Sequence, residues 1–160
     1  MDILARYNSL KSERTTVDTI WNEIDELLCL RKNDILGKKS VRDISQNLYD
    51  FTGLHSNNTL ASGMKSYICP QNEMWFSLSG KNKDKRSSDY YSEVSNILRE
   101  TLNSSNFYLE LHEGLIDLGA FGVNCIYVGE DDEDGLFFRN IPIGSYVIAE
   151  DNKGRVRTVI

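Results

Sequence analysis

The segment FYLELHEGLIDLGAFGVNCIYV, residues 107–128, decides the fold because its hydrophobic spacing changes from a helical to a strand pattern. In its first half, four apolar residues recur at three- and four-residue intervals, as on one buried helix face: Tyr108, Leu111, Leu115 and Leu118. We expect this helix to end at Gly119, a residue type common just beyond helix C-termini. The second half, from Val123 to Val128, is rich in β-branched and aromatic residues and predicts a strand.

Three more strands are predicted after this segment. Residues Leu136 to Ile141 have strand composition and follow an acidic turn, residues 130–134, that leads into Gly135. The runs Tyr146 to Glu150 and Arg155 to Ile160 flank Asp-Asn-Lys-Gly, in which Gly154 can take the positive φ of a hairpin turn. We therefore expect a small antiparallel sheet after residue 122.

Helical patterns dominate the chain before residue 107. The first helix is predicted from Asp2 to about Ser12, and Thr15 with Asp18 has the form of a capping box for the second. The second helix carries an apolar stripe that we expect to lie in the core: Val17, Ile20, Trp21, Ile24, Leu27 and Leu28.

Two further helices complete the predicted helical part. The third is marked by Leu60, Met64, Tyr67 and Ile68, has cap candidates at residues 56–58, and stops at Pro70. Gly63 lies inside it, where glycine costs about 1 kcal/mol relative to alanine, so we expect close packing there. A short extended piece follows at residues 75–78, then an exposed loop at 81–88. The fourth helix uses four residues as its buried face: Tyr91, Val94, Leu98 and Leu102.

These patterns predict a single α+β domain over residues 1–160, helical over 1–120 and β-rich over 121–160, with N-terminal helices packed against a small antiparallel sheet. With 40% hydrophobic and 26% charged residues, the composition is that of an ordinary globular domain. Cys29, Cys69 and Cys125 are far apart and form no C-x-x-C pair, so we expect reduced thiols and a cytoplasmic environment. No apolar run approaches the roughly 18 residues of a membrane span.

Catalytic and metal-binding motifs fail on inspection. Residues 35–40, ILGKKS, lack the first glycine of a phosphate loop, and His112-Glu113 lacks the second histidine of a metalloprotease helix, which favours a surface histidine. The acidic run at 130–134 does not have calcium-loop spacing and is interpreted as a solvated turn. Neither His55 nor His112 lies near a nucleophile signature. We therefore predict no catalytic, cofactor or metal site, and no enzymatic activity.

One basic cluster is a candidate for weak contact with DNA: Lys81, Lys83, Lys85 and Arg86. The alternative interpretation is a flexible solvated loop, because no aromatic residues alternate with the charges to stack on bases. The formal net charge of −6 argues against a protein that grips nucleic acid, since phosphate affinity comes from clustered Lys and Arg. It does not exclude a protein past which DNA slides.

The order of several short motifs resembles the podovirus-type bacteriophage head-to-tail connector, or portal, family. The similarity begins at RYNSLK (residues 6–11) with Arg14 and continues through YDFTG (49–53), LASGM (60–64) and Pro70 with W-F-x-L (75–78). It extends through residues 107–128, Ile141-Pro142 and the segment from Glu150 to Val156. Each motif is weak alone, and their succession makes the resemblance specific.

The resemblance implies a structural subunit of a dodecameric ring at one capsid vertex, through which packaged DNA enters and leaves. Its partners would be other portal subunits, capsid and scaffolding proteins, the packaging motor and tail proteins, with weak, non-specific contact to passing DNA. The protein would act in the virion and in the host bacterial cytoplasm. The region would correspond to part of the outer, wing-like portion, and because family members are longer we expect the chain to be a truncated N-terminal segment that stays a monomer or a small edge-paired dimer.

The alternative from another class is a small cytoplasmic helical module that binds a partner protein. A stable monomer without portal-like neighbouring genes would favour this module. An enzyme is the third hypothesis, because the sequence offers no paired nucleophile and base.

Overall fold

The computed structural model describes residues 2–29, 50–81, 84–131 and 135–160, and these contain five helices and four strands. The helices are α1 Ile3–Glu13, α2 Thr15–Leu28, α3 Thr52–Ile68, α4 Lys85–Ser104 and α5 Phe107–Phe121. The strands are β1 Ile126–Asp131, β2 Gly135–Asn140, β3 Ile148–Glu150 and β4 Val156–Val159. The α+β prediction is confirmed. Instead of one sheet, however, the described strands form two antiparallel pairs, β1 with β2 and β3 with β4.

Helix α5 is the centre of the fold, and it packs against α2, α3, α4, β1 and β2. Tyr108 and Leu115 on its inner face are buried as predicted, whereas Leu118 is 39% exposed. The helix continues past Gly119, where we expected it to end, and Gly122 stops it with a φ of 75°. Because Phe121 is buried, this extra half-turn adds an aromatic ring to the core.

The buried apolar core joins α5 to residues of α1, α3, β2 and the segments after α3 and β2: Leu10, Ala61, Cys69, Tyr108, Leu115, Phe121, Phe138, Ile143, Tyr146 and Val147. The Phe107 ring is stacked on Trp75 at 6.2 Å between centroids and meets Phe138 edge-on at 5.0 Å. The predicted extended piece at residues 75–78 forms no strand. Instead, the Leu78 amide donates to the Ser95 hydroxyl at 2.9 Å, which ties the segment to α4.

The junction of α1 and α2 is held by Arg14. The predicted capping box is wrong, because the Thr15 hydroxyl donates to the Ser12 carbonyl at 2.9 Å and no side chain caps α2. Asp18 instead pairs with the Arg14 guanidinium at 2.6 Å. That guanidinium also lies 5.4 Å from the centroid of the Trp21 ring and donates to the Tyr146 carbonyl. Arg14 therefore connects both N-terminal helices to the segment just before β3.

Helix α2 is turned so that its apolar stripe is only partly buried. The predicted core is wrong for Val17, Ile20 and Leu27, which are 40–59% exposed. The most buried side chains of the helix are Asp18 and Asp25, seven residues apart. Spacing of seven returns to the same helix face, so an acidic line, rather than the centre of the apolar stripe, faces the protein interior.

Helix α3 begins earlier than predicted, at Thr52. The Asp50 carboxylate accepts hydrogen bonds from the Thr52 hydroxyl at 2.6 Å and its amide at 2.8 Å, and these bonds lower the pKa of Asp50. The cap candidates at residues 56–58 were therefore wrong. Asn57 is instead buried inside the helix and donates to the Ile116 carbonyl of α5 at 3.1 Å.

Helix α4 begins at Lys85, so the predicted loop over residues 81–88 is half helical. On its predicted buried face Tyr91, Val94 and Leu102 are half-buried, but Leu98 is 36% exposed. The one fully buried side chain among its described residues is Ser95. Its small size lets the extended segment at residue 78 approach the helix, which an apolar pattern does not reveal.

Two helical glycines, Gly63 and Gly119, differ in how closely other atoms approach them. At Gly63 a Cβ atom would meet nothing within 4 Å, so the close packing expected there is wrong, whereas at Gly119 it would lie 2.5 Å from the side-chain amide oxygen of Asn57. We expect Gly63→Ala to raise the free energy of unfolding by about 0.5–1 kcal/mol through helix propensity. We expect the matched variant Gly119→Ala to lower it by disturbing Asn57. Urea denaturation of both variants measures this, and stabilisation by Gly119→Ala would contradict the contact.

Candidate functional site

The described residues contain no arrangement typical of catalysis or metal binding. Within them, no group of three or more His, Cys, Asp or Glu side chains is placed to hold a metal ion. His55 lies exposed on α3 and His112 half-buried on α5. Residues 35–40 and the acidic residues 132–134 lie outside the described ranges. No helix in the described part of the chain has the length and apolar character to cross a membrane.

A polar groove of about 560 Å³ lies beside the C-terminal end of α3 and contains the half-buried His112 with Lys65, Ser66 and Cys69. The Cys69 side chain is only 6% exposed, and burial raises the pKa of its thiol. Because the thiolate is the reactive form, this cysteine stays protonated and inert at neutral pH. The groove therefore offers polar contacts without an activated nucleophile.

The outer edge of strand β2 is covered by side chains from α5 and the turn before it. The Asn106 side chain donates to the Phe138 carbonyl at 2.7 Å and accepts from the Phe138 amide at 2.9 Å. Two residues further along, the Glu110 carboxylate accepts from the Asn140 amide at 2.6 Å. Asn106 thus makes the pair of bonds that a neighbouring strand would make, so this edge is closed to further strands.

The outer edge of strand β1 is different. The Ile141 amide donates to the Cys125 carbonyl at 2.8 Å, and this sets the alternation of hydrogen-bonded pairs along the ladder. The backbone groups of Ile126, Val128 and Glu130 consequently point away from β2. Within the described residues, β2 is the only strand paired with β1. Since Val128 is also 55% exposed, β1 presents an open, partly apolar edge.

The basic cluster predicted to contact DNA is only partly within the described ranges. Lys81 is exposed, and Lys85 and Arg86 are exposed in the first turn of α4. Lys83 lies outside the described residues. The positive end of the helix dipole adds to the charges of the two residues on α4, so this corner can attract phosphate groups. Contact with DNA stays a prediction.

A second exposed surface runs along α3, where a shallow groove of about 860 Å³ is lined mainly by apolar side chains. On this surface Tyr67 is 92% exposed, Ile68 58% and Leu60 51%. Exposed apolar surface of this kind is typical of sites where proteins contact one another. The helical pattern identified these residues but did not reveal that they face outward. The described surface thus includes an apolar area suited to contact with other proteins.

Comparison with known proteins assigns this arrangement to a family. The model of the family described as "Bacteriophage head to tail connecting protein" matches residues 1–160. The chain is 32% identical over 166 aligned positions to the "Portal protein" of Salmonella phage epsilon15, covering 99% of this chain and 30% of that protein. It is 29% identical over 167 positions to the "Probable portal protein" of Bordetella phage BPP-1, covering 98% of this chain and 29% of that protein. The chain therefore spans about 30% of the length of these curated relatives.

The bonds from Asn106 to β2 can be tested by truncation. We expect Asn106→Ala to lower the free energy of unfolding by about 1–3 kcal/mol, because the Phe138 amide and carbonyl lose their partners in a half-buried place. Asn103→Ala is the matched control, since Asn103 is exposed on α4 and its truncation should change stability by less than about 0.5 kcal/mol. Urea denaturation monitored by circular dichroism compares the two. Equal effects would contradict the role given to Asn106.

Proposed function

The chain belongs to the family of bacteriophage head-to-tail connecting proteins, and from this membership we propose that it acts as part of a portal subunit. In this role identical subunits form a ring at one capsid vertex, through which DNA is packaged and later ejected. The observation that carries the proposal is the family match over the whole chain, residues 1–160. Two relatives named as portal proteins, each matched over at least 98% of the chain, support it.

The proposed role is structural and not enzymatic. Its partners are other portal subunits, capsid and scaffolding proteins, the packaging motor and tail proteins. A ring of identical subunits needs two different contact patches on each subunit, and it needs no catalytic group. The exposed apolar side chains on α2 and α3 are consistent with such contacts. The corresponding locations are the host bacterial cytoplasm before assembly and the virion afterwards.

The charge of the chain suits a conduit better than a DNA-binding protein. A net charge of −6 repels the phosphate backbone overall, so DNA that passes is not held tightly. The corner with Lys81, Lys85 and Arg86 is the place at which transient contact is favoured. We propose that any affinity for DNA there is weak and independent of sequence.

The portal proposal predicts where the protein lies in phage particles. Antibodies raised against the 160-residue chain should label a single vertex of particles made by bacteria that carry the gene, because a portal ring occupies one vertex. Immunogold electron microscopy of particles opened at low salt measures this. An antibody against the major capsid protein is the control and should label the whole shell. Label distributed over the shell, or absent from particles, would contradict the portal role.

The second prediction of this role concerns DNA. The chain should bind a duplex weakly at low salt, and binding should vanish toward physiological salt, because each phosphate contact releases counterions. Changing Lys81, Lys83, Lys85 and Arg86 to Gln should remove most of the remaining affinity in fluorescence anisotropy titrations. A control in which Arg6, Lys11, Lys153 and Arg155 become Gln removes the same charge elsewhere. Equal losses in both variants, or tight binding at 150 mM salt, would contradict the proposed contact.

A further inference from the structure

The two edges of the β1–β2 sheet are treated differently by the rest of the fold. Asn106 and Glu110 bond to the backbone of β2, and no described strand or cap lies along β1. An unpaired edge with alternating amides and carbonyls is a template for another strand. We propose that the open edge of β1 pairs with strand β4 of a second copy of this chain. This inference rests on the proposed portal function, for which it names a contact between neighbouring subunits.

Strand β4 offers a suitable edge of its own. Val147 and Ile160 exchange two backbone hydrogen bonds, at 2.8 and 3.1 Å, so the groups of Val159 point away from β3. Among the described strands, β4 pairs only with β3. Its side chains are also exposed, with Val159 at 52% and Val156 at 56%. The strand therefore presents backbone groups and apolar surface at the same edge.

The alternation of backbone groups restricts an antiparallel pair to registers in which Val159 faces Ile126, Val128 or Glu130, whose backbone groups all point outward. Of these registers, the one with Val128 opposite Val159 is favoured because it buries two exposed valines against each other. Counting two residues along each strand in opposite directions brings Arg157 toward Glu130. Arg157 is the extra residue at the irregularity of the β3–β4 ladder, and both side chains are exposed. Opposite charges at facing positions stabilise strand pairs.

A second copy is the occupant that the charges favour. The open edge of β1 ends in an acidic residue, Glu130, whereas the β3–β4 hairpin carries the basic residues Lys153, Arg155 and Arg157. The acidic and basic edges belong to different strands of one chain, so pairing between copies is head-to-tail. Contacts of this kind generate rings when the rotation between subunits closes. β1 paired with another β1 would instead place the same acidic charges in both strands.

The contact is small compared with the roughly 1,600 Å² that a stable interface buries, so it should be captured covalently. Copies carrying Val128→Cys are mixed with tagged copies carrying Val159→Cys under mild oxidation. In both variants Cys29 and Cys125 are changed to Ser, and the buried Cys69 is kept. Facing residues of an antiparallel pair lie within the Cα distance of a disulfide. We expect a disulfide-linked dimer in the mixture, several-fold above either variant alone. Val156→Cys in place of Val159→Cys is the matched control, because Val156 is equally exposed and out of register.

Charge reversal at Glu130 and Arg157 gives a second test of the same register. Arg157→Glu in the Val159→Cys copy should reduce the cross-linked dimer by about two- to fivefold, and Glu130→Arg in the Val128→Cys copy should restore it. Circular dichroism confirms that each variant is folded. Cross-linking no greater than with Val156→Cys, or no response to charge reversal, would overturn this pairing. Neither result affects the vertex labelling, so failure of the inference is distinguishable from failure of the portal proposal.

Discussion

The hydrogen bonds between α5 and strand β2 are the constraint on which the rest of the structure depends. Asn106 bonds to both backbone groups of Phe138, Glu110 accepts from the Asn140 amide, and the Asn140 side chain donates to the buried Asp117 at 2.9 Å. They fix the height and rotation of the sheet on the helix. Phe138 consequently meets the Phe107 ring, and the aromatic cluster with Trp75 can form. Helices α2, α3 and α4 then pack on α5.

The sequence predicted the type of each described helix and strand, because periodicity reports which positions share a face. It did not predict how far each element is rotated. The inner line of α2 contains Asp18 and Asp25, and acidic side chains carry no signal of burial in a hydrophobic pattern. Arg14 compensates Asp18 locally, but its further bond to Tyr146 joins residues 132 apart in sequence. Contacts of that range depend on the assembled fold and leave no local pattern.

The candidate surfaces divide in the same way. The sequence predicted the exposed basic residues, because a cluster of charges is visible over a few neighbouring positions. It did not predict the difference between the edges of β1 and β2. That difference depends on Asn106, which lies 32 residues before Phe138. Because asparagine is common at helix N-termini, its sequence position does not indicate a contact with a strand. The family resemblance came from the order of many weak motifs. The order of motifs along a chain can be read without knowing the geometry of each motif, which explains why the family was easier to infer than the surfaces.

Closing one sheet edge has a consequence for assembly. A two-stranded sheet with both edges free could add strands on either side, and identical copies would then associate in several geometries. Because Asn106 and Glu110 occupy the β2 side, a strand that adds to this sheet is directed to the β1 side. A ring requires each subunit to meet its neighbour at one fixed angle, and a β1–β2 sheet with one available edge can add a strand from one side only. The bonds that stabilise the fold therefore also restrict how copies of it can meet.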